Sequence, residues 1–535
     1  MNRDGLVDYT DEAKAKFKAD GWWRDHLLTD WLAGHAAERP DAPALVTGGN
    51  PITYAELDRR VGRLAQGLTQ LGLGKGDIVA VQLPNVPEFV ISYLALASIG
   101  AVMQTVHMPY REGDLEGLLG HSGARGVICV EAFRDYPTAE VMTGLKDRLP
   151  QLEFVAVLGS APDGAVSLAE LHTDPDADAG PKPAVAADDL NVMLYTSGTT
   201  SSPKGVIVSS YPFTNNARHA VGEFGVTPDD IVFCPAPFSH LYGLFALQIA
   251  LCAGAANLLL PGFAPADYVK LIGTAKPTIL FTGPAHHAAC RQAGLYDGLD
   301  MSSIRIIVCS GSAVPPDLAR WVDGLLPNGR LLQLWGMTEL QAGTYNRPAD
   351  TLGQCAGSAG RATPGNEIRV VDEAGSPLPA GEEGELQIRG ASVFPGYYNN
   401  AEANESSFDG DWFRTGDLAT MDADGYLTIT GRIKDIINRG GVKFNPADIE
   451  AVVNKMPEVA MSAVVPVKDD VLGEKACIVI QPADGASPTL ETVTACLDEN
   501  GIAKNKWPEQ LELVDDMPLT PTMKVIKSKL QIGGA

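Results

Sequence analysis

The sequence predicts an α/β protein with a large N-terminal region of two βαβ-type subdomains plus a small β-barrel, followed by a small, separate α+β domain. Three observations predict this class. Apolar strand-like runs alternate with helical stretches from about residue 45 to 314, which is the pattern of βαβ units on parallel sheets. From 365 to 430 the apolar runs are short and broken by Gly and Asp, which favours antiparallel strands. After Gly431 a helix, two strands and a second helix follow.

The individual elements follow from local patterns. Strands are predicted where short apolar runs lie between turn signals, and helices where apolar residues recur with helical spacing. The uncharged stretch 241–266 contains Gly and polar residues, so it predicts a buried helix and a short strand and not a membrane span. The predicted strands are 78–83, 126–130, 190–195, 231–234, 278–282, 304–309, 368–371, 384–389, 425–430, 461–467 and 476–481, and the main predicted helices are 87–96, 446–455 and 490–500.

Composition excludes several classes of function. The 535 residues allow about three to four structural units. Forty-one Lys and Arg against 66 Asp and Glu give a net charge of −25, which argues against binding to nucleic acid or anionic lipid but not against a local site for a small anion. The eight cysteines form no Cys-x-x-Cys motif, so neither a zinc site nor a disulfide scaffold is expected. Without an apolar leader in the opening residues, we expect a cytoplasmic protein.

One loop has the composition of a polyphosphate cradle. It follows an apolar strand and combines several hydroxyls, two glycines and a lysine. Glycines let backbone amides approach a phosphate, hydroxyls add donors, and Lys204 adds charge. Because Pro203 and Gly205 flank the lysine, the loop is not a Walker A motif. A polar surface loop is the alternative. The residues predicted to bind phosphate are Thr196, Ser197, Gly198, Thr199, Thr200 and Lys204.

This loop resembles the phosphate loop of the adenylate-forming superfamily, which includes acyl-CoA synthetases, adenylation domains and luciferases. The resemblance extends from about residue 20 to 530, and segments near Trp22, Gln82 and Tyr110 resemble the alicyclic and medium-chain acyl-CoA synthetases. It implies an adenylation domain over 1–431 and a mobile domain over 432–535. The other matching motifs, in the family's order, are Pro237–His240, Gly311–Ala313, Trp335–Glu339, Gly384–Leu386, Trp412–Asp417, Gly431–Asp435 and the late Lys524.

The resemblance assigns roles around ATP. Adenylation is attack of a carboxylate on the α-phosphorus, so it needs charge neutralisation and positioning. Glu339 is expected to bind Mg²⁺, Thr338 to donate to the α-phosphate, and Trp335 to stack on adenine. A capping role for Glu339 and a core role for Trp335 are the alternatives. The remaining residues implied at the nucleotide are Gly336 and Met337, with Gly311, Ser312 and Ala313 as the opposite wall.

The resemblance also assigns residues to the late part of the chain. Asp417 is expected to accept from the ribose hydroxyls and Arg432 to reach the same sugar or the phosphate, unless Asp417 is an ordinary turn residue. Lys524 is expected to bridge the acid and the α-phosphate during adenylation. The usual Ser-Gly-Lys is here Thr-Met-Lys, so Met523 replaces a glycine. Lys434 is the implied hinge.

Two further groups are implied for the acid and for the thiol. His240 resembles the family's gate between the acyl pocket and the thiol tunnel, although a lone histidine in an apolar stretch is often a core residue. Gly243, Gly283 and Gly343 are expected to line the acyl pocket, with no obvious buried anchor for a ring hydroxyl. The segment expected to enter the pantetheine channel, or otherwise to be a simple turn, is Arg439, Gly440 and Gly441.

The resemblance therefore implies an ATP-dependent ligase that converts a small carboxylic acid to acyl-AMP and then to an acyl-CoA thioester. Its cofactors would be ATP, Mg²⁺ and coenzyme A, with a homodimer also considered, and its acids would be apolar with roughly six to ten carbons. The alternative is an aryl-acid AMP ligase that loads a carrier protein. It is disfavoured because Leu241 stands where that group generally has Asn. A catalytically silent nucleotide-binding homologue is a more remote alternative.

Overall fold

The computed structural model describes residues 6–48, 51–172, 184–196, 204–440, 442–469, 472–520 and 523–530. The chain divides into two compact units: unit 1 comprises Met1–Glu367 with Arg389–Asp411, and unit 2 comprises Ile368–Ile388 with Trp412–Ala535. The helices and strands confirm the predicted mixed α/β class. Within the described ranges, no helix is both long enough and apolar enough to cross a membrane.

The helices are α1 (Asp11–Ala19), α2 (Leu28–Glu38), α3 (Tyr54–Gln70), α4 (Pro87–Ser98), α5 (Glu112–Ser122), α6 (Thr138–Leu145), α7 (Ser210–Phe224), α8 (Leu241–Ala253), α9 (Pro265–Ala275), α10 (Pro284–Gln292), α11 (Pro316–Asp323), α12 (Leu352–Gly357), α13 (Ala401–Ser407), α14 (Pro446–Val453) and α15 (Leu490–Glu499).

The strands are β1 (Pro43–Val46), β2 (Ile52–Thr53), β3 (Ile78–Gln82), β4 (Val102–Thr105), β5 (Gly126–Val130), β6 (Phe154–Leu158), β7 (Val166–Ser167), β8 (Leu190–Tyr195), β9 (Gly205–Ser209), β10 (Ile231–Phe233), β11 (Ala256–Leu258), β12 (Ile279–Thr282), β13 (Ile306–Cys309), β14 (Arg330–Met337), β15 (Gln341–Tyr345), β16 (Arg361–Ala362), β17 (Asn366–Val371), β18 (Gly384–Gly390), β19 (Tyr397–Tyr398), β20 (Phe408–Asp409), β21 (Trp412–Met421), β22 (Leu427–Arg432), β23 (Ile437–Arg439), β24 (Val442–Phe444), β25 (Val459–Asp469), β26 (Gly473–Pro482) and β27 (Gln510–Leu513).

Unit 1 is built on two large sheets. One has nine strands in the order β16-β15-β14-β13-β12-β10-β11-β1-β2, and the other has eight in the order β19-β9-β8-β4-β3-β5-β6-β7. Strands β10 to β14 pair in parallel, as do β3, β4, β5, β6 and β8, which confirms the predicted βαβ organisation. These strands are continuous apolar runs because helices cover both faces of such a sheet. Antiparallel strands extend the sheets at β9 and β19 and at β15 and β16.

The N-terminal segment packs on unit 1 through aromatic side chains. The indole of Trp23 stacks on Tyr211 of α7 at 4.7 Å, and its Nε1 donates to the carbonyl of Ala391 at 2.8 Å. The hydroxyl of Tyr9 donates to the carbonyl of Val393. The segment therefore holds the chain that leads into β19.

Unit 2 contains two smaller sheets. In the first, β18 pairs antiparallel with β21 and β21 with β22, as predicted from the short apolar runs interrupted by Gly and Asp. In the second, β24, β23, β26 and β25 are antiparallel neighbours and β27 pairs in parallel with β26. Helices α14 and α15 contribute buried side chains to the hydrophobic cluster of this second sheet.

The predicted domain boundary at Gly431 lies inside unit 2. The amide of Asn445 donates to the carbonyl of Thr430 in β22, and it occupies the space that a side chain at Gly431 would need. These contacts connect the hairpin of β21 and β22 to the following residues. That 432–535 moves as a body about Lys434 stays a prediction.

Candidate functional site

Six of the predicted residues of unit 1 follow three neighbouring strands of the nine-stranded sheet. Strands β12, β13 and β14 are adjacent and parallel and run toward the same end of the sheet; β12 and β13 end side by side, whereas β14 continues from Gln333, the partner of Cys309, to Met337. Gly283 follows the first, Gly311 to Ala313 the second, and Thr338 and Glu339 the third. Ligands of open α/β sheets bind outside the carboxyl ends of the strands. The fold therefore places these predicted residues where such a ligand would bind.

The ends of the predicted phosphate cradle are joined in a hairpin. Tyr195 of β8 pairs with Gly205 of β9, and the amide of Thr196 donates to the carbonyl of Lys204 at 3.2 Å. A side chain at Gly205 would meet the Met193 methyl at 2.7 Å, which explains this glycine by packing. The cradle residues Ser197, Gly198, Thr199 and Thr200 lie outside the described residues.

Lys204 and Glu339 contact the same tyrosine. The Lys204 Nζ lies 5.0 Å from the ring centre of Tyr397, within the range of a cation–π interaction. The hydroxyl of Tyr397 donates to Oε1 of Glu339 at 2.7 Å. Burial and the neighbouring carboxylate raise the pKa of the phenol, so Tyr397 stays a proton donor. Glu339 itself is 5% exposed.

The turn that carries Thr338 and Glu339 is fixed by its backbone. The amide of Leu340 donates to the carbonyl of Met337 at 3.1 Å, and the next residue, Gln341, has a φ of 65°. A left-handed residue after a tight turn is typical of a bulged hairpin and is usually Gly. The Gln341 amide instead donates from Nε2 to Oε1 of the buried Gln248 at 2.8 Å, which ties the turn to α8.

Trp335 is 7% exposed, and its indole lies against a glycine. A Cβ on Gly343 would stand 2.7 Å from Cε3 of the indole and closer still to Cζ3. Gly336 is required by another close approach, since its Cβ would meet the carbonyl oxygen of Gln341. Across the sheet edge, Gly311 has a φ of 94° and the following Ser312 and Ala313 are exposed, so this backbone is open to a ligand.

His240 caps α8, because its Nδ1 accepts from the amide of Tyr242 at 3.2 Å. Its ring stacks at 6.3 Å on His107, whose Nδ1 lies 2.8 Å from Oγ of Ser239. Burial lowers the pKa of His107 to about 4, so this imidazole is neutral. Asn85 holds the segment from both sides, accepting from the amide of Phe238 at 2.7 Å and donating to the Ala236 carbonyl at 2.9 Å.

Two of the predicted acyl-pocket glycines also have packing reasons. A Cβ on Gly243 would stand 2.7 Å from the carbonyl carbon of Pro237, so α8 approaches the preceding backbone closely. A Cβ on Gly283 would stand 3.1 Å from the carbonyl oxygen of Ser310. That Gly243, Gly283 and Gly343 line an acyl pocket stays a prediction.

In unit 2, Asp417 and Arg432 are cross-strand neighbours on β21 and β22. The Arg432 Nε lies 2.8 Å from Oδ1 of Asp417, which is 4% exposed. The pairing brings the two motifs together, and the guanidinium compensates the charge of the buried carboxylate.

Lys524 lies in a short hairpin. The Thr520 amide donates to the Lys524 carbonyl at 2.7 Å, and the amide of Met523, which has a φ of 64°, donates to the Thr520 carbonyl at 2.8 Å. Although Lys524 retains exposed surface, protein atoms around its amine remove hydration and lower its pKa to about 8; Arg432 and Lys434 lower it further, and Asp417 opposes them.

The predicted pantetheine segment lies at the turn between β23 and β24. Arg439 is ion-paired with Glu509, and Gly440 has a φ of 59° with its amide donating to the Leu472 carbonyl at 2.8 Å. Gly441 lies outside the described residues. The exposed Lys434 lies in a short 3₁₀ turn after β22, in keeping with a hinge position.

Sequence reasoning missed Tyr397 and His107. Tyr397 lies far along the chain from Lys204 and Glu339, and no local spacing links the three residues. The only signal in the sequence is that two tyrosines follow a glycine in Gly396-Tyr397-Tyr398, directly after an apolar run. His107 follows the buried strand β4, and a titratable residue just after the carboxyl end of a buried strand is a signal of a binding site.

Comparison with known proteins agrees with this geometry. The sequence profile of AMP-binding enzymes matches residues 32–398, and that of the AMP-binding enzyme C-terminal domain matches 448–524. The chain is 31% identical over 538 residues to the medium-chain fatty-acid–CoA ligase of Escherichia coli K12, covering 99% of this chain and 94% of the relative. It is 32% identical to the feruloyl-CoA synthase of an Amycolatopsis species, covering 95% of this chain and 99% of the relative.

The fold is also shared with solved structures. The crystal structure of the anthranilate CoA ligase AuaEII in complex with anthranoyl-AMP superposes with a TM-score of 0.85 at 25% identity, covering 94% of this chain and 96% of that one. The resemblance stated from the motifs is therefore confirmed over nearly the whole length. The chain belongs to the AMP-binding enzyme family, as an ATP-dependent, AMP-forming acyl-CoA synthetase.

Proposed function

We propose that unit 1 activates the acid with the hairpin after β8 and the turn after β14. Lys204 and the backbone of the hairpin would hold the outer phosphates of ATP, and Thr338 would donate to the α-phosphate. The observation that carries this assignment is the contact of Lys204 and Glu339 with one tyrosine ring, since it connects the end of the cradle to the carboxylate. Trp335 would stack on the adenine.

Glu339 fits the Mg²⁺ that accompanies ATP. Mg²⁺ is usually held in such sites by one or two carboxylates together with the substrate phosphates, not by a protein cage. Within the described ranges, no group of three or more His, Cys, Asp and Glu could hold a metal by itself. The buried carboxylate of Glu339 suits the shared arrangement, and bound Mg²⁺ would neutralise phosphate charge during displacement of pyrophosphate.

We assign to unit 2 the contact with the ribose and a lysine that would act in addition to Thr338 at the α-phosphate. The buried Asp417 would accept from the ribose hydroxyls beside Arg432, and the Lys524 ammonium would neutralise the charge between the carboxylate and phosphorus. In the second half-reaction the segment 439–441 would replace Lys524, with Lys434 as the pivot, and the CoA thiol would displace AMP. The protein would carry this out in the cytoplasm.

For the acid, we propose an apolar chain or ring of roughly six to ten carbons. A relative named for a medium-chain fatty acid supports the apolar chain, and proteins named for ferulate and for anthranilate support an aromatic ring, which in both of these acids carries polar substituents. The competing proposal, loading of a carrier protein with a hydroxylated aryl acid, is disfavoured by Leu241 after the gate histidine.

A panel of carboxylic acids, scored by AMP release with and without CoA, tests the proposal. We expect release to require an apolar acid and to rise strongly when CoA is added. If 2-hydroxybenzoate exceeds benzoate by about a hundredfold in kcat/KM, a built hydrogen-bonding site is present and the carrier-protein proposal replaces ours. If none of the acids in the panel supports exchange of labelled pyrophosphate into ATP, only the proposed class of acid is overturned.

A further inference from the structure

Tyr397 is held in place by a strand pairing and by two hydrogen bonds of its backbone. It is 3% exposed and pairs with Val206 on β9, the strand that follows the phosphate cradle. Its amide donates to Oδ1 of Asn404 at 2.6 Å, and the Asn404 amide donates to its carbonyl at 2.9 Å. Its phenol therefore projects from a backbone that is fixed on both sides.

The same segment fixes Glu339 at two points. The amide of Phe394 donates to the Glu339 backbone carbonyl at 2.7 Å, and the Tyr397 hydroxyl donates to its Oε1 at 2.7 Å. The Phe394 ring meets the Tyr397 ring edge-on at 4.7 Å. One short segment thus constrains both the main chain and the carboxylate orientation of Glu339.

The hydroxyl is suited to this task chemically. An ionised carboxylate has about four acceptor positions, so one accepted hydrogen bond is compatible with metal coordination. Partners that orient a metal-binding carboxylate typically change metal affinity or activity by about 10- to 100-fold when they are removed. The ring also lies under the Lys204 amine, so movement of the phenol would affect the cradle as well.

We propose that Tyr397 is a positioning residue that orients the Glu339 carboxylate toward the metal of bound ATP while its ring places the Lys204 amine. This inference rests on the proposed role of Glu339. It concerns adenylation alone, because transfer of the acyl group from acyl-AMP to CoA involves neither pyrophosphate nor its metal.

Tyr397→Phe removes only the hydroxyl and keeps the ring beneath Lys204. Tyr398→Phe is the matched control, because Tyr398 is adjacent on β19 and its ring meets His121 edge-on at 5.6 Å. Binding of Mn²⁺ to the full-length protein with a non-hydrolysable ATP analogue is measured by electron paramagnetic resonance. The Mg²⁺ dependence of ATP–pyrophosphate exchange and the rate of CoA acylation from supplied acyl-AMP are measured in parallel.

We expect Tyr397→Phe to weaken Mn²⁺ binding at least tenfold and to raise the Mg²⁺ concentration needed for half-maximal exchange. CoA acylation should stay within twofold of the wild type, and Tyr398→Phe should change none of the three. Unchanged Mn²⁺ affinity in Tyr397→Phe, or equal losses in both half-reactions, would overturn the proposal.

Glu339→Gln separates this inference from the assignment beneath it. If Tyr397 acts through Glu339, Tyr397→Phe has little further effect on Mn²⁺ affinity in the Glu339→Gln background. Full additivity of the two changes would refute the inference. If Glu339→Gln alone leaves Mn²⁺ binding intact, the proposed metal role of Glu339 fails instead.

Discussion

Gly343→Ala introduces a single methyl group at the indole of Trp335. The new Cβ would stand 2.7 Å from Cε3 of the indole and 3.0 Å from Cδ1 of Leu340. Carbon atoms pack at about 3.5–4.0 Å, so the ring has to move by about 1 Å or the strand has to shift. The φ of Gly343 is not in the left-handed region, so the effect is purely steric.

Overpacking of this kind costs about 1–3 kcal/mol. That cost falls on the stability of the fold. If Trp335 stacks on adenine, the displaced ring also loses stacking energy of about 1–3 kcal/mol, which lowers kcat/KM for ATP by a factor of about 5 to 150. ATP–pyrophosphate exchange at varied ATP measures this loss. Gly62→Ala in α3 is the matched control, because its Cβ meets nothing within 4 Å and the activity should not change.

A double-mutant cycle tests the steric explanation. Trp335→Phe removes the ring atoms that the methyl group would meet, so the further loss caused by Gly343→Ala should shrink in that background. If Gly343→Ala keeps kcat/KM for ATP within twofold, or if its effect is the same with Phe at position 335, the indole is not the wall that the nucleotide contacts.

Three other changes have defined outcomes. Because the charged Lys524 is the active form and its pKa is about 8, adenylation should fall as the pH rises through about 8. Lys524→Arg should flatten this alkaline fall of the pH profile. Lys524→Ala should lower exchange by about 10²-fold or more and spare CoA acylation from acyl-AMP. Gly441→Leu should block CoA acylation and spare exchange; turnover from acyl-AMP within about twofold of the wild type would contradict the pantetheine assignment. Met523→Val should lower exchange about tenfold, since a β-branched residue resists the left-handed conformation, whereas Met523→Gly should stay within about threefold; the reverse order in the same exchange assay would show that this turn does not place Lys524.

The parallel parts of the fold could be predicted because each buried strand is a local apolar run. Predicted strands such as 126–130 and 190–195 match β5 and β8 to the residue. The antiparallel strands β9, β15 and β19 are not predicted in this way, because β9 and β15 follow the phosphate cradle and the Trp335–Glu339 motif, and β19 has only two residues. Their pairings depend on long-range register, which period alone does not determine.

In the candidate site, too, residues in local motifs could be predicted and contacts between distant parts of the chain could not. Asp417 and Arg432 were identified from separate motifs, and the hairpin brings them together at 2.8 Å. Tyr397 is not predicted because Lys204 and Glu339, which its ring and hydroxyl contact, lie far earlier in the chain. The left-handed Gln341 and Met523 were equally hidden, since a turn that favours glycine carries a different residue at each position and only the backbone angles reveal it.

The N-terminal segment on unit 1 has a consequence for how the protein is handled. The side chains of Trp23 and Tyr9 donate hydrogen bonds to the carbonyls of Ala391 and Val393, respectively, just before the strand that carries Tyr397. A shortened version that begins after Leu27 would look like the removal of a peripheral arm, and it would keep the whole range 32–398 that matches AMP-binding enzymes. It would nevertheless release the chain beside the carboxylate of Glu339, so expression boundaries and bulky N-terminal tags should be chosen as if this arm belonged to the active centre.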